Sequence, residues 1–174
     1  MAVFLVVLVA GCVAKPSSSG KLPPIVPNES AKDSETQQTN DMVVAHNQVR
    51  RSVGVPDLTW SPALANQAQQ WANRLQGQGC KMEHSRAAKV GENLAWSSGR
   101  RLKPTDVVSM WASEAKDFDH TSGRCTPGAV CGHYTQLVWK NTQEVGCGMA
   151  TCGREEIWVC NYSPPGNYTG QKPF

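Results

Sequence analysis

Three stretches of the chain place apolar residues at the spacing of an amphipathic helix. The first follows a cap at Thr39 or Asn40, the second begins at Ser61 and Pro62, and the third opens at Pro104. Serine followed by proline is typical of a helix start, because serine can accept a free backbone N–H and proline lacks the N–H that the first turn cannot use. The apolar positions of the three faces are Met42, Ala45, Val49 and Val53; Leu64, Ala68, Trp71, Ala72 and Leu75; and Val107, Val108, Trp111 and Ala115. This period predicts that each helix buries one face.

Two stretches near the C-terminus have the composition of strands. Residues Glu144–Thr151 and Glu155–Tyr162 flank a turn at Cys152-Gly153-Arg154, which predicts a β-hairpin. The stretch His133–Trp139 is rich in β-branched and aromatic residues, so local propensity predicts a further strand there. The chain is therefore expected to combine helices with a few strands.

The N-terminal residues 1–11 are apolar throughout. This run is shorter than the roughly 20 residues that a membrane-spanning helix needs, and it is typical of an export signal. The sequence Val9-Ala10-Gly11-Cys12 resembles a bacterial lipobox, in which a lipid is attached to the cysteine. We expect an exported protein, either a lipoprotein of the bacterial cell envelope held at the membrane through lipidated Cys12, or a protein secreted without an anchor.

Residues 12–40 consist mainly of polar residues and proline, without an apolar cluster. Such a segment cannot bury enough surface to offset the entropy of ordering it, which predicts a flexible tether. The folded domain is then expected over residues 41–174. The formal net charge is only +3 and the basic residues are scattered, so the clustered basic face that nucleic-acid binding requires is not expected.

Cysteine usage agrees with export. Six cysteines remain when Cys12 is set aside, and they are Cys80, Cys125, Cys131, Cys147, Cys152 and Cys160. An even number in an exported chain predicts three disulfides, although counting alone leaves the pairing open. A zinc cluster is the alternative, but the chain has no Cys-x-x-Cys pair of the kind that structural zinc sites usually contain.

Four short segments carry a resemblance to a known family. In chain order they are His46–Arg50 (HNQVR), Gly91–Ala95 (GENLA), Gly132–Trp139 (GHYTQLVW) and Cys160–Asn167 (CNYSPPGN). Their order and spacing resemble the CAP superfamily, which includes cysteine-rich secretory proteins, insect venom antigens and plant pathogenesis-related type 1 proteins. The plant-type proteins are the most similar, and the resemblance covers the whole predicted domain.

This resemblance implies an α+β fold, an α-β-α sandwich in which a small, largely antiparallel sheet lies between helical layers. It also implies that the start of the Gly132–Trp139 segment is helical, in contrast to its local propensity. The disulfides that it implies are Cys80–Cys152, Cys125–Cys131 and Cys147–Cys160. The last of these would join the two strands of the predicted hairpin.

In the family, two histidines and two glutamates converge in a central cleft, and these correspond to His84, His133, Glu92 and Glu114. Two neutral imidazoles are suitable ligands for zinc or another divalent metal, with the two carboxylates in supporting positions. The same four groups could instead activate a water as general acid and base, or form a hydrogen-bonded network that only stabilises the cleft.

We expect a binding module rather than an enzyme. Disulfide bonding removes the thiol nucleophile, and the chain has neither a Gly-x-Ser-x-Gly nor a His-Glu-x-x-His motif. The expected ligand is a divalent metal or a small molecule, with lipid or sterol included because certain relatives bind them, and a protein partner stays open. A metal-dependent hydrolase or protease that uses the same cleft is one alternative, and a structural surface-interaction protein is the other.

Overall fold

The computed structural model describes residues 29–87 and 89–174 of the chain. Its helices and strands, in chain order, are α1 Glu29–Ser52, β1 Thr59–Trp60, α2 Pro62–Gln76, β2 Gly91–Ser98, α3 Pro104–Ala112, β3 Phe118–Asp119, β4 Arg124–Cys125, α4 Gly132–Leu137, β5 Glu144–Cys152 and β6 Glu155–Ser163. A 3₁₀ turn, Ser113–Asp117, follows α3 directly. Within the described ranges, no helix has the length and apolar character needed to cross a membrane.

Four strands form the main sheet in the order β1-β5-β6-β2. The short β1 pairs in parallel with β5, whereas the other neighbours are antiparallel. The predicted hairpin is confirmed by β5 and β6, and its turn contains Gly153 at a φ of +63°, which glycine adopts without strain. Strand β2 pairs with the other edge of β6 along its whole length.

Helices cover both faces of this sheet. On one face, α2 packs against β2, β5 and β6 around a cluster that contains Ala68, Ala72, Leu75, Leu94, Ala150, Ile157 and Val159. On the other face, α1, α3 and α4 pack around a cluster that contains Met42, Val107, Val108, Trp111, Leu137, Val138, Trp158 and Tyr162. Because successive strand residues point to opposite faces, β6 supplies apolar side chains to both clusters. The predicted α-β-α sandwich with a largely antiparallel sheet is confirmed.

Two glycines allow α2 to lie close to β5. A Cβ atom on Gly146 would clash with the backbone of Ala65, and one on Gly148 would clash with the backbone of Gln69. The Gln69 side chain donates to the carbonyl of Met149 at 2.8 Å and accepts from its N–H at 3.0 Å. Gln69 therefore pairs with the backbone N–H and carbonyl of Met149, which lie on the edge of β5 beyond the residues that pair with β1.

Arg50 places a buried guanidinium at the end of α4. It donates to the carbonyl oxygens of Pro56, Leu137, Trp139 and Thr142 at 2.6, 2.9, 3.0 and 3.1 Å. Carbonyls at the end of a short helix have no partner within it, so Arg50 satisfies groups that would otherwise be buried without one. Burial lowers the pKa of Arg50 to about 10, and the guanidinium stays charged at neutral pH.

The three disulfides pair as the resemblance implied. They are Cys80–Cys152, Cys125–Cys131 and Cys147–Cys160. The first joins the loop after α2 to the end of β5, the second connects β4 to the residue before α4, and the third links two residues that lie directly opposite each other in the hairpin. The first bond therefore ties the end of α2 to the main sheet, the second ties α4 to the small β3–β4 sheet, and the third lies within the hairpin.

The first helix begins earlier in the chain than predicted. It begins at Glu29 rather than after Thr39 or Asn40, so residues 29–40, which composition assigned to the tether, form its first turns. Glutamate, alanine, lysine and glutamine are strong helix formers, and polar composition alone does not distinguish an exposed helix from a flexible tether. Residues 1–28 lie outside the described residues, and with them the export signal over 1–11, the earlier part of the tether and Cys12.

Local propensity was wrong for α4 and did not predict β2. Residues Gly132–Leu137 are helical, although their composition favours a strand. The sequence of β2, GENLAWSS, has no β-branched residue, and its extended conformation follows from pairing with β6. The third helix ends at Ala112, and Glu114 therefore lies in the 3₁₀ turn.

Candidate functional site

Glu114 holds both the ring and the backbone of His133. Its Oε1 atom lies 2.6 Å from Nδ1 of His133. Its Oε2 atom accepts the backbone N–H groups of His133 at 3.0 Å and of Tyr134 at 3.1 Å, which belong to the first turn of α4 and have no partner within the helix. A carboxylate only accepts hydrogen bonds, so Nδ1 of His133 carries a hydrogen, and in the neutral ring Nε2 keeps its lone pair.

Glu92 holds His84 in a similar way. Its Oε1 atom lies 2.8 Å from Nδ1 of His84 and accepts the backbone N–H of Ser85 at 2.9 Å. Burial opposes ionisation of Glu92, but the hydrogen bonds from His84 and Ser85 outweigh it, and the pKa of Glu92 is lowered. The hydrogen bond to Glu92 raises the pKa of His84. The His84 ring is exposed, whereas Glu92 is almost fully buried.

Strand β2 contacts both pairs, through consecutive residues. Glu92 and Asn93 are consecutive, so their side chains point to opposite faces of the strand. Glu92 reaches His84, and Asn93 donates from Nδ2 to the carbonyl oxygen of His133 at 3.0 Å. Trp111 packs parallel to the His133 ring, with ring centroids 6.4 Å apart. The structure therefore joins each predicted histidine to one predicted glutamate and both pairs to β2.

A buried chain of hydrogen bonds continues from Asn93 to α1. Nδ2 of Asn93 donates to the hydroxyl of Tyr162 at 3.3 Å, and this hydroxyl lies 2.9 Å from Nε2 of His46. Nδ1 of His46 donates to the carbonyl of Met42 at 2.7 Å. Burial lowers the pKa of His46 to about 4 and raises the pKa of Tyr162. Both side chains are therefore neutral at pH 7 and support the sheet behind the cleft.

Each histidine has the hydrogen-bonding state of a metal ligand. In both histidines Nδ1 is bonded to a carboxylate and Nε2 is left as the accepting nitrogen, which is the usual state of a metal-binding histidine. Oε2 of Glu92 is buried and has no hydrogen-bond partner among the described residues. Within the same residues, no group of three or more His, Cys, Asp or Glu side chains could hold a metal together. The described residues therefore offer at most two such side chains to one ion, fewer than the three or four protein ligands of a strong zinc site.

Residues 43–162 match the family model for CAP, the cysteine-rich secretory protein family. The chain belongs to the CAP family. It is 44% identical over 135 residues to a pathogenesis-related protein of PR-1 type from Sambucus nigra, covering 77% of this chain and 80% of that protein. It is 42% identical over 151 residues to pathogenesis-related protein 1A of Nicotiana tabacum, covering 86% and 88%. Its fold matches venom allergen-like protein 4 of Schistosoma mansoni with a TM-score of 0.64 at 27% identity, covering 79% and 93%.

These matches confirm the resemblance of this CAP protein to the plant-type members. The description of the family as secretory supports the predicted export. Both of the relatives named above are plant proteins, which gives no support to a bacterial lipoprotein. Lipidation of Cys12, and membrane attachment through it, stays a prediction about a residue outside the described ranges.

The residues that sequence reasoning missed in this CAP domain are those that support the cleft. Asn93 and Ser85 were not predicted to take part. Asn93 follows Glu92 in the segment GENLA, and Ser85 follows His84. Their position beside predicted residues was the available signal, but their partners depend on strand register.

Two hollows of about 340 Å³ each in this CAP domain have neither His84 nor His133 in their walls. The first, between α1, α2 and β5, includes Met42, Trp60, Asn66, Gln69, Met149 and Trp158 in its walls. The second, between α4 and the C-terminal tail, includes Phe118, Trp139, Asn167, Tyr168 and Pro173. Gly132, directly before His133, also belongs to the walls of the second hollow, so this hollow lies next to the segment that carries His133.

Proposed function

We propose that this CAP domain is an exported, non-catalytic binding module that takes a divalent metal ion, zinc or a similar ion, at His84 and His133. The observation that carries the proposal is the pairing of each imidazole Nδ1 with its own carboxylate, Glu92 or Glu114. This pairing fixes the tautomer in which Nε2 can bind a cation. It also orients each ring and increases its basicity as a ligand.

The charges of the cleft favour a cation. The lowered pKa of Glu92 keeps this carboxylate ionised at neutral pH. Its negative charge lies beside His84, where it stabilises positive charge on or near the ring. A bound ion would supply a Lewis-acidic centre with water in its open positions, and the chain's own residues would hold and orient it.

The hydrogen bonds of the two carboxylates favour binding over catalysis. Glu114 already accepts three hydrogen bonds, from the His133 ring and from two backbone N–H groups. Oε1 of Glu92 already accepts two, from His84 and Ser85. A general base needs a free oxygen within reach of a reacting proton. Both oxygens of Glu114 are instead occupied in holding His133 and the start of α4. Oε2 of Glu92 has no partner among the described residues, but it is buried, away from a reacting proton in the open cleft.

Isothermal titration with zinc chloride tests the proposal on the wild type and on His84→Ala, His133→Ala and His120→Ala. His120 is an exposed histidine in the β3–β4 region and is the matched control. We expect modest affinity in the wild type, loss of most of it in each cleft variant, and no change in His120→Ala. Affinity should fall as the pH is lowered, and the raised pKa of His84 means that protons begin to compete above the ordinary histidine value of about 6.5.

Circular dichroism of each variant checks that the fold is retained. Equal heats in all four proteins, or none in any of them, would contradict the proposal. The two histidines and two glutamates would then act only as a network that stabilises the cleft.

A further inference from the structure

Three buried polar atoms near His84 have no hydrogen-bond partner among the described residues. They are Oε2 of Glu92 and both Nδ2 and Oδ1 of Asn161. Asn161 is 1% exposed, and the side chain of Glu92 is 8% exposed. Buried polar atoms in folded proteins nearly always bond to protein or to ordered water. These atoms therefore point to a partner that the side chains alone do not supply.

The two residues lie directly opposite each other. Glu92 of β2 and Asn161 of β6 are paired in the antiparallel ladder. Side chains that are directly opposite share one face of the sheet, with Cβ atoms about 5 Å apart. Leu94 and Val159, two positions further along the same strands, belong to the cluster under α2, so Glu92 and Asn161 are on the face that α2 covers. The three atoms are thus neighbours on a covered face.

The residue directly opposite Asn161 on its second neighbouring strand contributes no side chain. Its partner there is Gly146 of β5, which has no side chain. The first turn of α2 lies directly on this glycine, and a Cβ atom there would meet the backbone of Ala65 and the carbonyl oxygen of Ser61. The polar cross-strand neighbour that remains to Asn161 is Glu92.

We propose that Asn161 and Glu92 form a buried site for one water molecule, which accepts a hydrogen bond from Nδ2 of Asn161 and donates one to Oε2 of Glu92. The hydrogen-bonding roles of these atoms determine which molecule can bind between them. Nδ2 only donates and an ionised carboxylate oxygen only accepts, so the bound molecule must accept a hydrogen bond from Asn161 and donate one to Glu92. Water does both, whereas a metal cation would need Oδ1 of Asn161 in place of Nδ2, and a cation found there in the crystal would overturn the proposal. A buried water of this kind usually bonds to two or more otherwise unpaired groups.

The water makes Asn161 a positioning residue for His84. Oε1 of Glu92 is bonded to Nδ1 of His84 and to the backbone of Ser85. Fixing Oε2 as well fixes the plane of the carboxylate, and with it the direction from which Oε1 meets the imidazole. The site and its effect on the ring stand on geometry alone, whereas any effect on metal affinity rests on the proposed function.

The test uses the metal-free, full-length protein. A crystal structure of the wild type, at a resolution that shows ordered water, should have a water within hydrogen-bond distance of Glu92 Oε2 and Asn161 Nδ2.

Asn161→Leu removes the amide at similar volume. The ¹⁵N shifts of the His84 ring should then change from one tautomer to a mixture, while those of His133 stay as they are. Asn161→Ser, whose hydroxyl can still bond to the water, should restore the single tautomer, and Asn141→Leu is the control at an exposed asparagine.

A zinc titration of the same variants gives a separate readout. We expect Asn161→Leu to lose up to about tenfold in affinity, since supporting residues of a metal site typically contribute this much or more. A direct bond between Asn161 and Glu92 without water would overturn the site, and an unchanged His84 ring in Asn161→Leu would overturn the positioning role. If the wild type binds no zinc, the proposed function fails, but the crystal structure and the ring shifts still decide the inference.

Discussion

Glu114 accepts hydrogen bonds from both the ring and the backbone N–H of His133, at 2.6 and 3.0 Å. One carboxylate therefore orients the imidazole and also begins the helix that carries it. The position of His133 and the folding of α4 depend on the same side chain. A change at Glu114 should be visible in both.

Glu114→Gln should weaken zinc binding and lower stability. An amide has one acceptor oxygen and one NH₂ group, so it cannot accept from the His133 ring on one side and from two backbone N–H groups on the other. We expect a loss of about 10- to 100-fold in zinc affinity and of about 1–3 kcal/mol in the free energy of unfolding. Zinc titration and urea unfolding measure the two effects.

Glu144→Gln, at an exposed position on β5, is the matched control and should change neither quantity. Reduced stability with unchanged zinc affinity would show that Glu114 caps α4 and has no part in metal binding.

Elements with strong local signals could be predicted from the sequence. The apolar positions of α2 recur at helical spacing, and the hairpin of β5 and β6 has a glycine where its turn needs one. The signal for α4 is not local, because the cap of its first turn comes from Glu114 on another element. Propensity therefore predicted a strand where the structure has a helix.

The candidate site divides in the same way. The family resemblance pointed to His84, His133, Glu92 and Glu114, but spacing along the chain does not say which glutamate holds which histidine. That pairing depends on the loop that returns His84 to β2 and on the packing of α4 against the 3₁₀ turn. Asn161 was missed because its relation to Glu92 exists only through the register of two strands.

Replacing Arg50 should destabilise the fold far more than replacing its neighbour Arg51. Arg50→Lys leaves one ammonium in place of a guanidinium that bonds to four carbonyls, so several buried acceptors lose their donor. We expect a loss of about 3 kcal/mol or more in the free energy of unfolding. Arg51 is exposed and paired with Asp57, and Arg51→Lys should cost no more than about 0.5 kcal/mol. Urea unfolding at pH 7 compares the two; equal losses would contradict a structural role for the buried guanidinium.

The disulfides should contribute unequally to stability. Cys80–Cys152 spans 72 residues of sequence, whereas Cys125–Cys131 spans 6. A crosslink restricts the unfolded chain more when it closes a longer loop, which gives about 4 kcal/mol for the first and about 2 kcal/mol for the second. Urea unfolding of the two paired Cys→Ser variants measures the difference. A larger loss from the short loop would mean that the Cys125–Cys131 bridge acts through the folded state, by holding the residue that precedes α4.

The buried His46 should make the folded state sensitive to acid. Burial lowers the pKa of His46 to about 4, whereas the unfolded chain keeps a value of about 6.5. Between these values the unfolded chain binds a proton that the folded protein does not, so the free energy of unfolding falls as the pH is lowered. The loss should reach about 2 kcal/mol at pH 5, because each pKa unit corresponds to about 1.4 kcal/mol.

His46→Gln cannot titrate, so we expect it to be less stable than the wild type at pH 7 but to have a flatter dependence on pH. His120→Gln, at an exposed histidine, should follow the wild type. The raised pKa of His84 acts in the opposite direction, but it does so equally in all three proteins, and the difference between the curves isolates His46. Parallel curves for the wild type and His46→Gln in urea unfolding from pH 7 to pH 5 would show that the acid sensitivity has another origin.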